Sequence, residues 1–143
     1  MLMGEYRNSI DVKSRLIVPS KFREELGYKC VLTKGLDNCL YIYPMEEWVK
    51  FQEKLSKLPV SDVKARAFVR YFYASAVECE LDKQGRITIP QSLKKYANIE
   101  KELVTLGVLN KVEIWSKEEW ENAEAGEKLE PTEFAEQMEI YGI

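Results

Sequence analysis

The chain writes one nine-residue phrase twice. DVKSRLIVP fills positions 11–19 and DKQGRITIP fills positions 82–90, a spacing of 71 in a chain of 143 residues. Both keep Asp, then Arg four positions later, then two aliphatic residues two apart, then Pro. Such a repeat constrains architecture before any other feature, because each unit must bury its apolar surface against its neighbour.

The likeness continues downstream. PSKFREELG parallels PQSLKKYAN, so that Phe22 and Leu26 match Leu93 and Ala97, an i,i+4 apolar pair on one turn of helix. Gly27 and Asn98 fall where that helix ends, and both tolerate the left-handed backbone needed there. With one residue inserted, VLTKGLDNCLYIYPMEEW parallels LVTLGVLNKVEIWSKEEW, matching Gly35 with Gly107, Tyr43 with Trp115 and Trp48 with Trp120. Residues 5–48 and 76–120 therefore read as two copies of one unit.

Each unit predicts the same elements. A first strand alternates through Tyr6, Asn8 and Ile10, or Val77, Cys79 and Leu81. The Asp-x-x-x-Arg turn follows; Gly85 suits its positive-φ position, which Ser14 fills in the first unit at some conformational cost. A second strand places Leu16 and Val18, or Ile87 and Ile89, on one face, and Pro stops it. A short helix, a strand pair and a second helix complete the unit. Pro44 suits a first-turn position, and Ser116 with Glu119 spells a capping box.

Between the units, Trp48, Phe51, Leu55 and Leu58 recur at helical spacing before Pro59. Ser61 or Asp62 can cap a further helix with Val63, Ala67, Tyr71 and Ala74 on one face. The C-terminal PTEFAEQMEIY offers a last helix whose stripe of Phe134, Met138 and Tyr141 is expected to pack. The fold class is α+β: two pseudo-two-fold-related copies of a small β-barrel or hairpin unit with short helices, joined by a helical linker. The divisions are residues 1–48, a linker at 49–75, residues 76–120 and an acidic helical tail at 121–143. A unit of about 45 residues buries too little surface to fold alone, so the two are expected to complete each other.

The chain has no histidine, which excludes Ser-His-Asp and Cys-His catalysis and the HExxH zinc site. With no phosphate loop and no evident carboxylate pair, an enzyme is not expected, nor a metal, cofactor or small-molecule ligand. Cys30, Cys39 and Cys79 fit no metal-ligand spacing and read as small buried apolar residues. No membrane span and no signal peptide are evident, so a cytoplasmic protein is expected. Net charge is −3, but it is unevenly spread. Residues 116–143 carry nine Glu against two Lys, whereas residues 1–115 carry nineteen Lys and Arg against fifteen Asp and Glu.

The paired D-x-x-x-R-[aliphatic]-x-[aliphatic]-P phrases, each followed by a short helix and a strand pair ending in EEW, resemble the MraZ family of bacterial transcriptional regulators. The resemblance spans residues 1–141, with Ser14 standing where the family pattern has Gly. It implies a tandem AbrB-like swapped-hairpin fold and a ring of subunits. It further implies a nucleoid-associated protein binding repeated boxes of double-stranded DNA in its own promoter, ahead of division and cell-wall genes. Two roles are open for the turn. Asp11 and Asp82 cap it and hold the Arg in a local bridge, or the Arg points outward to phosphate or guanine. Under the second, the DNA-facing candidates are Arg7, Lys13, Arg15, Lys21 and Arg23, with Lys83 and Arg86 in the second unit, where Glu78 and Glu80 oppose phosphate. Asp11, Asp82 and Gly85 are the structural members of the turns. The competing reading is an oligomeric protein-interaction module without DNA.

Overall fold

A computed structural model describes residues 1–126 and 130–142. The first unit runs β1 (Leu2–Ser9), β2 (Arg15–Ile17), α1 (Ser20–Leu26), β3 (Lys29–Lys34), β4 (Leu40–Pro44) and α2 (Met45–Ser56). After α3 (Val63–Ser75) the order repeats as β5 (Val77–Glu80), β6 (Arg86–Thr88), α4 (Gln91–Tyr96), β7 (Glu102–Leu109), β8 (Lys111–Ser116) and α5 (Lys117–Gly126). Then come α6 (Pro131–Met138) and a 3₁₀ turn, Glu139–Tyr141. The fold is α+β with antiparallel strands and a tandem repeat, as the sequence indicates. Glu127 and Lys128 of the acidic tail lie outside the described residues.

Neither unit closes on itself. β1 pairs with β7 of the other unit, β5 pairs with β3, and β2 pairs with β6 in a separate two-stranded ribbon. The larger sheet has the order β1-β7-β8-β4-β3-β5, which reverses into itself when the units are exchanged. The ribbon pairs Arg15 with Thr88, Leu16 with Ile87 and Ile17 with Arg86. Leu16 and Ile87 are the equivalent residues of the two phrases, and they face each other at its centre. Backbone bonds extend the exchange: Val18 N–H donates to the Gly85 carbonyl at 2.9 Å, and Ile89 N–H to the Ser14 carbonyl at 2.8 Å.

Alternation along the strands builds two cores. Cys30, Leu32, Leu40 and Ile42 face one side and bury with Leu16, Val18, Phe22, Ile87, Ile89 and Leu93. Val31, Tyr41 and Tyr43 face the other side and bury with Trp48, Phe72, Val104 and Trp115. The central strands are thus apolar on both faces, which is why they read as near-continuous apolar runs. All three cysteines are free and buried. Burial pushes the Cys30 thiol up to about 12 and raises those of Cys39 and Cys79, as expected for apolar packing groups. Gly107 is demanded by close approach: a Cβ there would lie 2.3 Å from the Met3 nitrogen, inside the β1 backbone.

Several expectations are corrected. Of the expected stripe Val63, Ala67, Tyr71 and Ala74, only Tyr71 packs on the core; Val63, Ala67 and Ala74 are exposed, and the helix is seated by Tyr71 and Phe72 with Ala76 at its C-cap. Consecutive aromatics blur the periodicity, and the anchor is polar: Thr33 Oγ1 donates to the Phe72 carbonyl at 2.9 Å and meets Ser75 Oγ at 2.9 Å. Asp62, not Ser61, caps the helix, accepting from the Lys64 and Ala65 amides. Pro44 is the N-cap of α2 rather than a first-turn residue. The capping box is half made: Ser116 Oγ accepts from Glu119 N–H, but the Glu119 carboxylate takes the Asn98 side-chain amide instead. The C-terminal stripe does not pack. No residue of α6 is buried, and Tyr141 is 71% exposed.

The strand registers correct the match of Gly35 with Gly107: Leu32, opposite Ile42 and Val77, is the counterpart of Thr105, opposite Ile114 and Tyr6. The two buried threonines of the sheet therefore face opposite cores; Thr33 has its hydroxyl satisfied by α3, whereas Thr105 is buried with an unpartnered Oγ1. Thr33→Val should therefore lower stability by about 1–3 kcal/mol, and Thr105→Val should be neutral or stabilising. Thermal melts of both variants check this; equal losses would mean that the Thr33 bonds do not anchor α3.

Candidate nucleic-acid interface

Each Asp-x-x-x-Arg turn is closed by its own aspartate. Asp11 Oδ1 accepts from the Lys13 and Arg15 amides at 2.9 and 2.8 Å, and Oδ2 accepts from Arg15 Nε at 2.7 Å. Asp82 repeats the pattern with the Gln84 and Arg86 amides, both at 2.9 Å, and with Arg86 Nε at 2.8 Å. The Ser14 and Gly85 amides return to the Asp11 and Asp82 carbonyls. Both positions have positive φ, 60° at Ser14 and 75° at Gly85, so the matched serine does take up the glycine-type conformation. The Arg15 and Arg86 amides are the chief cause holding the Asp11 and Asp82 carboxyls below the ordinary aspartate value, with the guanidinium bonds adding to it.

The two roles weighed for the arginine are compatible. Only Nε is bonded to the aspartate; among the described residues neither Arg15 nor Arg86 makes a hydrogen bond through its terminal Nη groups. The carboxylate therefore acts as a clamp. It fixes the guanidinium plane while the outer fork stays available for a bidentate acceptor. Both side chains are partly open, 28% for Arg15 and 23% for Arg86.

The strand exchange then brings both arginines onto one surface. Leu16 and Ile87 point into the core, so Arg15, Ile17, Arg86 and Thr88 form the outer face of the ribbon. Arg15 lies opposite Thr88, and Arg86 lies opposite Ile17, which is 51% exposed. The arginines are diagonal neighbours, with Cα atoms about 7–8 Å apart by sheet geometry. Lys13 and Lys83 stand exposed on the two turns.

Helices α1 and α4 each send a base across to the other unit's turn. Arg23 donates Nε to the Val18 carbonyl at 2.8 Å, and its guanidinium covers the second turn so closely that a Cβ at Gly85 would lie 2.3 Å from it. Its equivalent, Lys94, donates to Ser14 Oγ at 2.9 Å on the first turn. The glycine thus makes room for the arginine, and the serine supplies an acceptor for the lysine. Arg23 therefore sits with the second turn rather than the first. Lys94, which with Lys95 follows the second proline in the sequence, is brought to the first turn rather than its own, and Ile17 and Thr88 are the residues that sequence reasoning missed. The alternation against Leu16 and Ile87 was the signal that could have found Ile17 and Thr88.

The remaining candidates lie apart. Arg7 is on β1, paired with Glu5 at 3.3 Å. Glu78 and Glu80 are on β5, at the opposite edge of the large sheet, where Lys29 and the Tyr28 hydroxyl meet them. Lys21 is exposed in the first turn of α1. Among the described residues there is no cluster of three metal-ligating side chains, and no helix is long and apolar enough to cross a membrane.

Comparison with known proteins bears on this geometry. The family model described as "MraZ protein, putative antitoxin-like" matches twice, over residues 1–71 and 72–139. The chain is 54% identical to the transcriptional regulator MraZ of Caldicellulosiruptor saccharolyticus and 55% identical to that of Clostridium tetani, in each case over 143 residues and the whole of both chains. The transcriptional regulator MraZ of Moorella thermoacetica is 57% identical over 121 residues, 85% of each chain. With two tandem matches covering nearly all of its length, the chain belongs to the MraZ family.

Proposed function

We propose that the chain is a sequence-specific DNA-binding transcriptional regulator that reads repeated boxes in its own promoter region through the outer face of the β2–β6 ribbon. The carrying observation is that two clamped arginines with open forks share that face. A two-stranded ribbon is one of the few elements that enter the major groove, and an Arg fork suits the O6 and N7 edge of guanine. Ile17, exposed between them, suits a thymine methyl group. Lys13, Lys83, Lys94, Lys21 and Arg23 supply phosphate contacts around the ribbon, and Arg7, exposed on β1 beside Glu5, is a further candidate.

A single ribbon offers few phosphate contacts, and the chain is acidic overall. The reading is completed by assembly into a ring that presents several ribbons at once, so that effective concentration raises affinity. The reciprocal register supports a pseudo-two-fold barrel within each chain, which uses up the symmetric contact and leaves a head-to-tail one for assembly. We place the repeats at 1–48 and 76–120, the linker at 49–75 and the tail at 121–143. The target genes are those of division and cell-wall synthesis, and the site of action is the nucleoid in the cytoplasm.

Three outcomes follow. In gel shifts on the upstream region, Arg15→Glu should abolish specific binding while circular dichroism and particle mass stay unchanged; wild-type affinity in this variant would place the interface elsewhere. Arg15→Ala should weaken binding by about 5- to 150-fold, the range of one bidentate base contact. Arg86→Ala should lose less, because the strand leading into its turn carries Glu78 and Glu80, where the first unit has Arg7 and Ser9. Equal losses would remove that asymmetry.

The pH dependence should be flat near neutrality. The chain has no histidine, and both turn aspartates are held low. A depressed carboxylate contributes stability above the unfolded value of about 3.9 and loses it as pH falls through the folded value. Binding should hold from about pH 5.5 to 8 and fail only in acid, below the unfolded aspartate value. A midpoint near pH 6.5 in a fluorescence-anisotropy series would contradict this.

A further inference from the structure

Two features of the chain have unmet surfaces of opposite character. The first is α6 with its 3₁₀ extension. Phe134, Met138 and Tyr141 fall at i, i+4 and i+7, and they are 38%, 36% and 71% exposed. Residues 130–142 carry Glu130, Glu133, Glu136 and Glu139 and no basic residue. On a helical wheel Glu133 borders the apolar stripe, and Glu130 caps the helix just ahead of it.

The second is a groove between the C-terminal end of α2 and the N-terminal half of α3. Leu55, Leu58, Pro59, Val60, Ala65 and Val69 line it, and Val60 is 80% exposed. Arg66 and Arg70, one helical turn apart, flank it. Residues 54–70 hold Lys54, Lys57, Lys64, Arg66 and Arg70 against Asp62 alone. An apolar groove with a basic rim and an apolar helix with an acidic rim are complementary in both respects, and i, i+4, i+7 anchors are how a helix enters a groove.

We propose that α6 of one chain docks in the α2–α3 groove of a second copy of the same chain, with Phe134, Met138 and Tyr141 seated on the apolar floor and Glu130 and Glu133 meeting Arg66 and Arg70. The single chain contains both partners, yet none of its α6 residues is buried. That assigns the groove to another copy. The contact joins different surfaces on the two chains, so it repeats head to tail and closes into a ring where the rotation per step permits. It rests on the assembly reading above and names the surface through which assembly occurs. It also gives the acidic tail a role away from the DNA-facing ribbon: its charge is neutralised by the neighbouring chain.

The test is a charge exchange in the full-length chain, read by light scattering after size exclusion. E130K/E133K and R66E/R70E should each fall from the wild-type mass to that of a single chain. The chain carrying all four substitutions should recover the wild-type mass, which excludes simple loss of folding as the cause. A monomeric wild type would remove the assembly reading and this contact together. A wild-type assembly that neither reversal disturbs, or that the fourfold variant fails to restore, would overturn the α6 contact alone. A cross-link keeps the result independent of charge, since the native cysteines are buried. Mixed under oxidising conditions, an F134C chain and a V69C chain should form a disulfide-linked pair. No link between them, or a link formed only within one chain bearing both substitutions, would overturn the proposal.

Discussion

Leu16 against Ile87 is the contact on which the arrangement depends. These two residues occupy the same place in the two phrases, and each is nearly inaccessible to solvent. Their pairing forces β2 and β6 into one ribbon and carries each turn to the other unit. The outward neighbours on both strands, including the two arginines, then share a face because side chains alternate along a strand. Had each unit closed on itself, the arginines would belong to two separate hairpins. Interleaving lets two units of about 45 residues build cores that neither could bury alone, and it sets the two turns at opposite ends of one ribbon with their arginines on its outer face.

In the proposed reading, the aspartate clamp links this fold to recognition. A long exposed arginine loses rotamer entropy when it binds, and much of that loss is met in advance when one of its nitrogens is already held. Arg23 and Lys94 add a second layer of order. Each reaches across to the opposite turn, so both turns are braced by the same exchange that puts their arginines on one ribbon. The net charge of −3 conflicts with DNA binding only if charge is averaged over the chain. The glutamates of α5 and α6 belong to surfaces other than the ribbon.

Much of this was legible in the residues because the repeat supplied an internal comparison. The turn, the ribbon strands, the short helices and the positive φ at Ser14 all followed from matching one phrase to the other. The exchange of β1 and β5 between units did not, since nothing in a strand's own residues names its partner. For the same reason the sequence order groups Arg23 with the first turn, although its guanidinium lies over Gly85. The face of α3 is ambiguous in the sequence because aromatics at 68, 71, 72 and 73 satisfy more than one helical stripe, and the choice is made by polar bonds from Thr33 to the Phe72 carbonyl and Ser75. The apolar stripe of α6 was visible, but amphipathicity does not say whether the covering surface lies in the same chain.

The central claim is that both turns meet DNA as one ribbon. Amide hydrogen exchange of the assembled protein, with and without a duplex from its upstream region, tests it most directly. The account predicts added protection at residues 12–17 and at 83–88 together, with β5 and its Glu78 and Glu80 edge unaffected. Protection confined to the first turn, or absent from both while the duplex is bound, would contradict it.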